Sequence, residues 1–426
     1  MIKKDKGMVP ETLKRELGLV DAVGVGLGAV IGAGIFVVTG VAAGVAGPAF
    51  LIGLLIAGIA ASCNGLSSAQ LAATYPQSGG TYEYGYQVLN PWLGFSAGWM
   101  FLASKLSAGG VVAIGFGTYL AALAPGINPK LAAVCAALFL VLANYYGIKK
   151  AGKLNLLIVG ITLCALLYFI MAGIPHFDSA RLRPFAPEGW QGIARASALL
   201  FFAFTGYARI ATLGEEVREP RKTIPRAVII TLVSSVVLYA AVALVAVGGV
   251  GAATLSSSSS PLGEAAKAFT LPGVILLIGI GATTAMFGVL LSQLLGISRM
   301  MFAMARRRDL PPFLERVHPR HQVPHPGIIL SGGIIILLSL FGTLEFIVSA
   351  ASFTILLYYS ITNLAALRMP KAQKLYADWI PVAGLVFCLA MAAFLQLKTI
   401  LAGISLLATG LLLRLLMQRF YNRQAA

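Results

Sequence analysis

The sequence predicts an all-α, polytopic membrane protein with 12 transmembrane helices, and three observations carry that expectation. Only 11% of the 426 residues are charged while 58% are hydrophobic, about half the charge of an ordinary soluble globule. The apolar residues fall in runs of about 20, enough to cross a hydrocarbon layer about 30 Å thick. A membrane β-barrel would instead alternate polar and apolar residues over segments of about ten.

The expected spans are 18–46, 49–73, 93–124, 130–147, 154–174, 193–214, 226–249, 272–304, 326–342, 345–367, 379–397 and 399–417. The first is too long for a cleavable signal, and no small-residue cleavage site ends a short apolar core. Residues 1–17 before it are basic, with Lys3, Lys4, Lys6, Lys14 and Arg15. Lys149, Lys150 and Lys153 separate the fourth and fifth spans, and Arg218, Arg221, Lys222 and Arg226 the sixth and seventh. Arg299, Arg306, Arg307, Arg308, Arg316 and Arg320 lie at or beyond the end of the eighth; Arg368, Lys371 and Lys374 follow the tenth; Arg414, Arg419 and Arg423 lie at or beyond the end of the last. Strict alternation puts all of these on one side. The other side keeps only Lys130, Arg181, Arg183, Arg195, Lys267 and Lys398. This asymmetry predicts that both termini of a cell inner (plasma) membrane protein lie in the cytoplasm. It also accounts for the net charge of +17 without nucleic acid as a partner.

Between the spans, Ser256 to Ser260 before Pro261 read as a flexible external loop. The stretch from His318 to Pro326 holds three of the four histidines. Its prolines prevent a regular helix and no acid or thiol accompanies it, so a solvated linker is expected rather than a metal site. Cys63, Cys135, Cys164 and Cys388 lie far apart within apolar spans and read as buried structural thiols. No cofactor is expected.

Two spans are interrupted by glycine. One runs Val25-Gly26-Leu27-Gly28-Ala29-Val30-Ile31-Gly32-Ala33-Gly34-Ile35-Phe36 and the other Phe201-Phe202-Ala203-Phe204-Thr205-Gly206-Tyr207. Each opens one half of the chain. A broken helix leaves N–H and C=O groups that need protein, water or a ligand to bond to. Paired breaks at matching positions point to the binding site of a secondary transporter. Glycines also let membrane helices pack closely, but the matched second break is not explained that way. Gly24-x-Gly26-x-x-Ala29 has dinucleotide-site spacing, yet no strand precedes it.

Four separated motifs resemble the amino acid–polyamine–organocation superfamily of transporters. They are Gly28 to Phe36 with Ala46-Gly47-Pro48; Tyr75-Pro76-Gln77-Ser78-Gly79-Gly80-Thr81-Tyr82 with Gly94-Phe95 and Gly98-Trp99; Gly214-Glu215-Glu216-Val217-Arg218-Glu219-Pro220 running on to Ile224-Pro225-Arg226; and Ser298-Arg299-Met300 through Arg306. The first-helix motif is most similar to the cationic amino acid transporter-like branch. The resemblance implies the leucine-transporter fold, a 5+5 inverted repeat. Residues 18–174 would form the first repeat, 193–367 the second and 379–417 two accessory helices. It also implies an amino acid permease that works by alternating access.

In such a site the amides of Gly32, Ala33 and Gly34 would meet a substrate carboxylate at the positive end of a half-helix. Freed carbonyls of Val30, Ile31, Phe201, Phe202 and Phe204 would take the ammonium. Ile35, Ala203 and Gly206 complete the substrate-binding set. By resemblance, Phe202 would be the aromatic gate, with Ala33 and Thr205 flanking the substrate side chain. Lys105 lies too deep in the third span to snorkel, so a function or a partner is expected. Proton-coupled relatives carry a lysine in the fifth helix where this chain has Thr162, and an acid in the sixth where it has Ala208, followed by Arg209. Lys105 is therefore expected to take the coupling role, exchanging a proton near neutral pH. Thr283 and Thr284, with first-helix carbonyls, form a possible ion site. No acid falls in the middle of a span while Lys105 and Arg209 do, so neutral or small apolar amino acids are the expected substrates, with an amino acid/amine exchanger or a cationic amino acid transporter as the alternative. The spans carry neither a catalytic carboxylate pair nor a nucleophile–histidine pair, which argues against an enzyme. A channel filter would show rings of carbonyls or charges instead.

Overall fold

Helices are the only regular structure that the computed structural model contains among its described residues, 16–75, 77, 79–147, 151–214 and 216–425. In chain order they are α1 (Leu19–Val30), α2 (Thr39–Ala46), α3 (Phe50–Thr74), α4 (Thr81–Tyr84), α5 (Pro91–Leu123), α6 (Pro129–Tyr146), α7 (Ala151–Gly173) and α8 (Gly189–Phe201). Then come α9 (Ala208–Ala211), α10 (Pro220–Ser257), α11 (Pro261–Lys267), α12 (Val274–Arg306), α13 (His325–Phe341), α14 (Leu344–Arg368), α15 (Trp379–Ala393) and α16 (Leu397–Ala425). Among the described residues, nine helical runs are long and apolar enough to cross a membrane, the first of them Leu19–Thr74. The shorter helices His325–Phe341 and Trp379–Ala393 are apolar as well. The chain is therefore an all-helical, multi-pass membrane protein.

Local chemistry sets the helix ends. Asn90 caps α5 by accepting from the amides of Trp92 and Leu93, and Asn128 caps α6 by accepting from Lys130 and Leu131. Each is followed by a proline at the first helical position, where no N–H is needed. Such a cap contributes about 1 kcal/mol. Gly47 turns the chain between α2 and α3 with φ +59°, a region that disfavours side chains. Gly251, with φ 80° and ψ 159°, kinks α10 near its end.

Most observed boundaries sit within about four residues of the expected spans, but α10 (Pro220–Ser257) overruns 226–249 at both ends and α16 (Leu397–Ala425) runs well past 417. Beyond the serine run, two residues of which (Ser256 and Ser257) end α10, Pro261–Lys267 forms α11 with Leu262, Ala265 and Ala266 buried. The Leu262 amide donates to the Tyr119 hydroxyl, which itself donates to the Phe36 carbonyl. Thr81 to Leu89 form α4 and a following π-helical turn that the hydropathy pattern did not mark. The histidine linker is not simply solvated. His318, His321 and His325 gather around Tyr145, with the His318 and His321 rings 4.6 Å apart. No group of metal-binding side chains forms among the described residues. Cys63 and Cys388 are buried as expected, but Cys135 and Cys164 face outward.

Two features tie the centre together. α5 packs along α12 and α14, while α1 packs against α10, α7 and the segment following α8. At the end of α1 that carries the N-terminus, Leu17 pairs with Val217 in a short parallel bridge. The Leu17 amide donates to Glu216 at 3.0 Å, and the Arg218 amide donates to Leu17 at 2.9 Å. The residues entering the first span are thus fastened to those leaving the sixth.

Candidate substrate site

The α1 helix stops where the backbone of Ile31 turns extended, with φ −78° and ψ 102°. Helical bonding resumes when the Ile35 and Phe36 amides donate to Gly32 at 3.2 and 3.3 Å. A π-helical segment, Gly34–Val38, then leads into α2. Among the described residues, the Gly32 amide, between the two helical stretches, has no backbone acceptor. The second interruption is milder. After Phe201 the helix tightens to a 3₁₀ form over Phe202–Tyr207 before α9 resumes.

The two interruptions lie against each other, and glycine is why they can. A β-carbon on Gly34 would stand 2.5 Å from the Ala203 Cα, and one on Gly206 would stand 2.2 Å from the Ala29 carbonyl oxygen. Such separations are far inside contact distance, so only glycine permits this backbone-on-backbone approach. Beside the junction is a narrow cavity of about 330 Å³ lined by Ala29, Val30, Gly32, Ala33, Gly34, Phe202, Ala203 and Thr205 from the broken segments. Lys105, Ala108 and Val112 of α5 and Val289 and Gln293 of α12 close it.

Towards the end that carries the N-terminus, a second cavity of about 630 Å³ shares Ala29, Lys105, Val289 and Gln293 with the first and adds Gly206, Arg209, Thr212, Ser292 and Tyr358. A third, of about 990 Å³, shares Ala29, Arg209 and Ser292 with the second and adds Asn155, Glu216 and Arg299. Lys105 thus stands between the first and second cavities and Arg209 between the second and third. The Lys105 ammonium lies 5.6 Å from the Phe101 ring centre. Among the described residues, no acidic side chain lines the first two cavities.

Against this geometry, the profile of the family described as amino acid permease matches residues 21–421, both interruptions included. The chain belongs to the amino acid permease family. This permease is similar to an uncharacterised transporter of Mycobacterium tuberculosis (strain ATCC 25618 / H37Rv), 40% identical over 94% of this chain and 91% of the relative. It is similar to the branched-chain amino acid permease BcaP of Bacillus subtilis (strain 168), 29% identical over 97% of this chain and 95% of that one. It is also similar to the cationic amino acid transporter 4 of Mus musculus, 31% identical over 87% of this chain and 62% of the mouse protein. These matches bear out the resemblance of the motifs. They make the permease a membrane transporter of the amino acid–polyamine–organocation superfamily, not an enzyme.

The structure brings together Val30, Gly32, Ala33, Gly34, Phe202, Ala203, Thr205 and Lys105, and puts Gly206 on the adjoining cavity. It does not bring Ile31, Ile35, Phe201 or Phe204 to the cavity wall. All four side chains are buried in packing: Phe201 meets Tyr359 edge-on at 5.7 Å, and Phe204 lies 5.4 Å from Tyr239. The Val30 carbonyl, expected to be free, accepts from the Tyr239 hydroxyl at 2.8 Å. The Phe202 carbonyl likewise accepts from the Thr205 hydroxyl at 3.0 Å. Thr283 and Thr284 bond back to carbonyls of their own helix and line none of these cavities. Thr162 does the same, donating to Ile158 at 2.8 Å. This is the usual habit of hydroxyls in membrane helices.

Sequence reasoning missed Gln293, Val289, Ala108 and Val112. Gln293 did leave a signal, as an isolated amide in an apolar span. Its Oε1 is buried without a hydrogen-bond partner, which marks it as a group waiting for a donor. The three alkyl neighbours left none.

Proposed function

We propose that the permease carries α-amino acids across the cytoplasmic membrane by alternating access, on a leucine-transporter fold of 12 transmembrane helices with both termini inside. In this reading Leu19–Ala46 is the first helix and Gly189–Ala211 the sixth, the broken pair of a 5+5 inverted repeat spanning 18–174 and 193–367. The accessory pair lies at 379–417. The observation that carries it is the single cavity into which both interruptions open. The amides of Gly32, Ala33 and Gly34 suit a carboxylate. Phe202, at the cavity wall and 8% exposed, is positioned to act as the gate. The three adjoining cavities run towards the basic end of the molecule, as an inward-facing carrier requires.

The chemistry of the walls favours neutral or small apolar side chains. Ala33, Ala108, Val112 and Val289 offer apolar contact, and the Lys105 charge opposes a cationic substrate. Lys105 is proposed as the proton-coupling group, because it borders the substrate cavity and the route to the basic end. The test is uptake into proteoliposomes of a labelled panel (alanine, leucine, lysine, arginine), each with and without a proton or a sodium gradient. Saturable uptake of the neutral members driven by a proton gradient is expected. Preferential uptake of lysine or arginine would overturn the substrate class, and sodium-driven uptake would overturn the coupling.

A further inference from the structure

Lys105 and Arg209 are two cations on the wall of one cavity, and six ion pairs found among the described residues include neither of them. No hydrogen bond from either side-chain head to a protein acceptor is present among the described residues, whereas Arg414, the buried arginine elsewhere, has both Asp309 and the Pro91 carbonyl. The accessible surface left to Lys105 and Arg209 is cavity wall, since both reside inside the bundle. Gly296 lies beside the guanidinium: a β-carbon there would be in ordinary contact, 3.4 Å from Arg209 Nη1. Gln293, Ser292, Thr212 and Tyr358 supply neutral polar groups to the same walls. A pair of cations away from bulk water, with no carboxylate among the described residues on the wall they share, is strongly unfavourable unless an anion joins them or the lysine gives up its proton.

We propose that Lys105 and Arg209, with Gln293 and Ser292 beside them, form an anion-binding subsite next to the substrate cavity that takes a carboxylate- or chloride-sized anion. The inference rests on the carrier reading and deepens it. The anion is either the side-chain carboxylate of an acidic amino acid or a free small anion that accompanies a neutral one. Both sources share the same chemistry: one negative charge, acceptor lone pairs and a radius that fits between an ammonium and a guanidinium. Lys105 and Gln293 border both this cavity and the one lined by Gly32, Ala33 and Gly34, so the anion site adjoins the substrate cavity. Arg299, in the next cavity with Arg209, extends the positive wall towards the basic end, and Glu216 is the one acid on that third cavity among its lining residues.

The test uses the full-length permease in proteoliposomes. Labelled leucine, alanine, glutamate and aspartate are compared in chloride and in gluconate, for the wild type, Arg209→Gln and Lys105→Gln. If the substrate supplies the anion, glutamate or aspartate is taken up, and Arg209→Gln lowers the acidic-to-neutral uptake ratio at least about tenfold. If a free anion supplies it, neutral uptake falls at least about tenfold when gluconate replaces chloride, and Arg209→Gln removes that dependence. Exclusion of acidic amino acids together with chloride-independent neutral uptake would overturn the subsite and leave the carrier reading standing. Failure of every amino acid to enter would remove both. Should Arg209→Gln not fold, the wild-type unfolding temperature in chloride, glutamate and gluconate decides the matter. A rise with chloride or glutamate supports the subsite, and identical values contradict it.

Discussion

Gly206 and Ala29 meet backbone to backbone: a β-carbon at position 206 would stand 2.2 Å from the Ala29 carbonyl oxygen and 2.4 Å from the Val30 amide nitrogen. The atoms in the way belong to main chain, which cannot swing aside as a side-chain tip can. Gly206→Ala must therefore push the two interrupted segments apart. We expect a loss of stability of about 1–3 kcal/mol, the usual range for overpacking, together with loss of uptake. Thermal unfolding of the purified variant and a transport assay check both. Wild-type behaviour in each would show that the junction is not needed.

Phe202 lines the cavity, whereas its neighbours Phe201 and Phe204 are wholly buried in packing. The three should therefore separate by readout. Phe202→Ala is expected to raise the apparent KM about tenfold, the equivalent of about 1.4 kcal/mol, with little change in unfolding temperature. Phe201→Ala and Phe204→Ala should instead lose about 3–5 kcal/mol of stability. Equal effects of all three on KM would contradict the assignment of the gate.

Lys105→Ala should uncouple the carrier from the proton gradient without closing it. Concentrative uptake driven by an imposed proton gradient is expected to disappear, while exchange of labelled for unlabelled substrate persists. Intact proton-driven accumulation in the variant would reject Lys105 as the coupling group.

The spans and the first interruption were legible in the sequence because lipid imposes a simple rule on both. Twenty apolar residues in a row have few other uses, and glycines clustered as Gly32 and Gly34 stand out against that background. The second interruption was legible as to place but not as to form, since Phe202–Tyr207 stays helical in a tighter winding instead of opening. What the residue pattern could not give was direction. Phe201, Phe202 and Phe204 are identical in composition, and only the turn of the 3₁₀ segment decides which one faces the cavity. Ala108, Val112 and Val289 are ordinary membrane residues until the fold puts them opposite the break. The short α4 escaped a hydropathy reading because polar contacts anchor it, not an apolar run.

Those contacts centre on Asp309, which accepts from the Tyr82 and Tyr86 hydroxyls at 2.7 and 2.6 Å and faces Arg414 at 3.6 Å. Burial, then the Asp309 charge and its hydrogen bond, hold the Tyr82 phenol well above its ordinary value. Burial and Asp309 do the same to Tyr86, so both remain donors. Arg307, bonded to Glu83 at 2.9 Å, lies over the Tyr86 ring at 4.2 Å. Asp309→Ala would strand the buried Arg414 charge and two phenols, and should reduce stability by about 3–5 kcal/mol. Asp309→Asn, which keeps an acceptor, should lose less. Equal unfolding temperatures for wild type and Asp309→Ala would contradict this clasp.

The histidine cluster predicts a pH response of defined sign. Burial among the rings, then His318 and Arg320, hold the His321 imidazole below its ordinary value of 6.5. A histidine with a depressed folded value binds fewer protons folded than unfolded, so its neutral form favours the fold and acidification below about 6.5 opposes it. Hydrogen exchange across 318–326 should therefore accelerate as the pH falls through that value. Unchanged exchange, or slower exchange after correction for the intrinsic pH effect, would contradict it.

The most direct measurement of the shared cavity is protection by substrate. Thr205→Cys, in a background with the four native cysteines replaced, places a thiol on the cavity wall opposite Gly32 to Gly34. A transported amino acid added at saturating concentration is predicted to slow labelling of that thiol by a small membrane-impermeant reagent applied from the basic end. Unchanged labelling in the presence of a solute that the protein demonstrably carries would mean that the solute binds somewhere other than between the two interruptions.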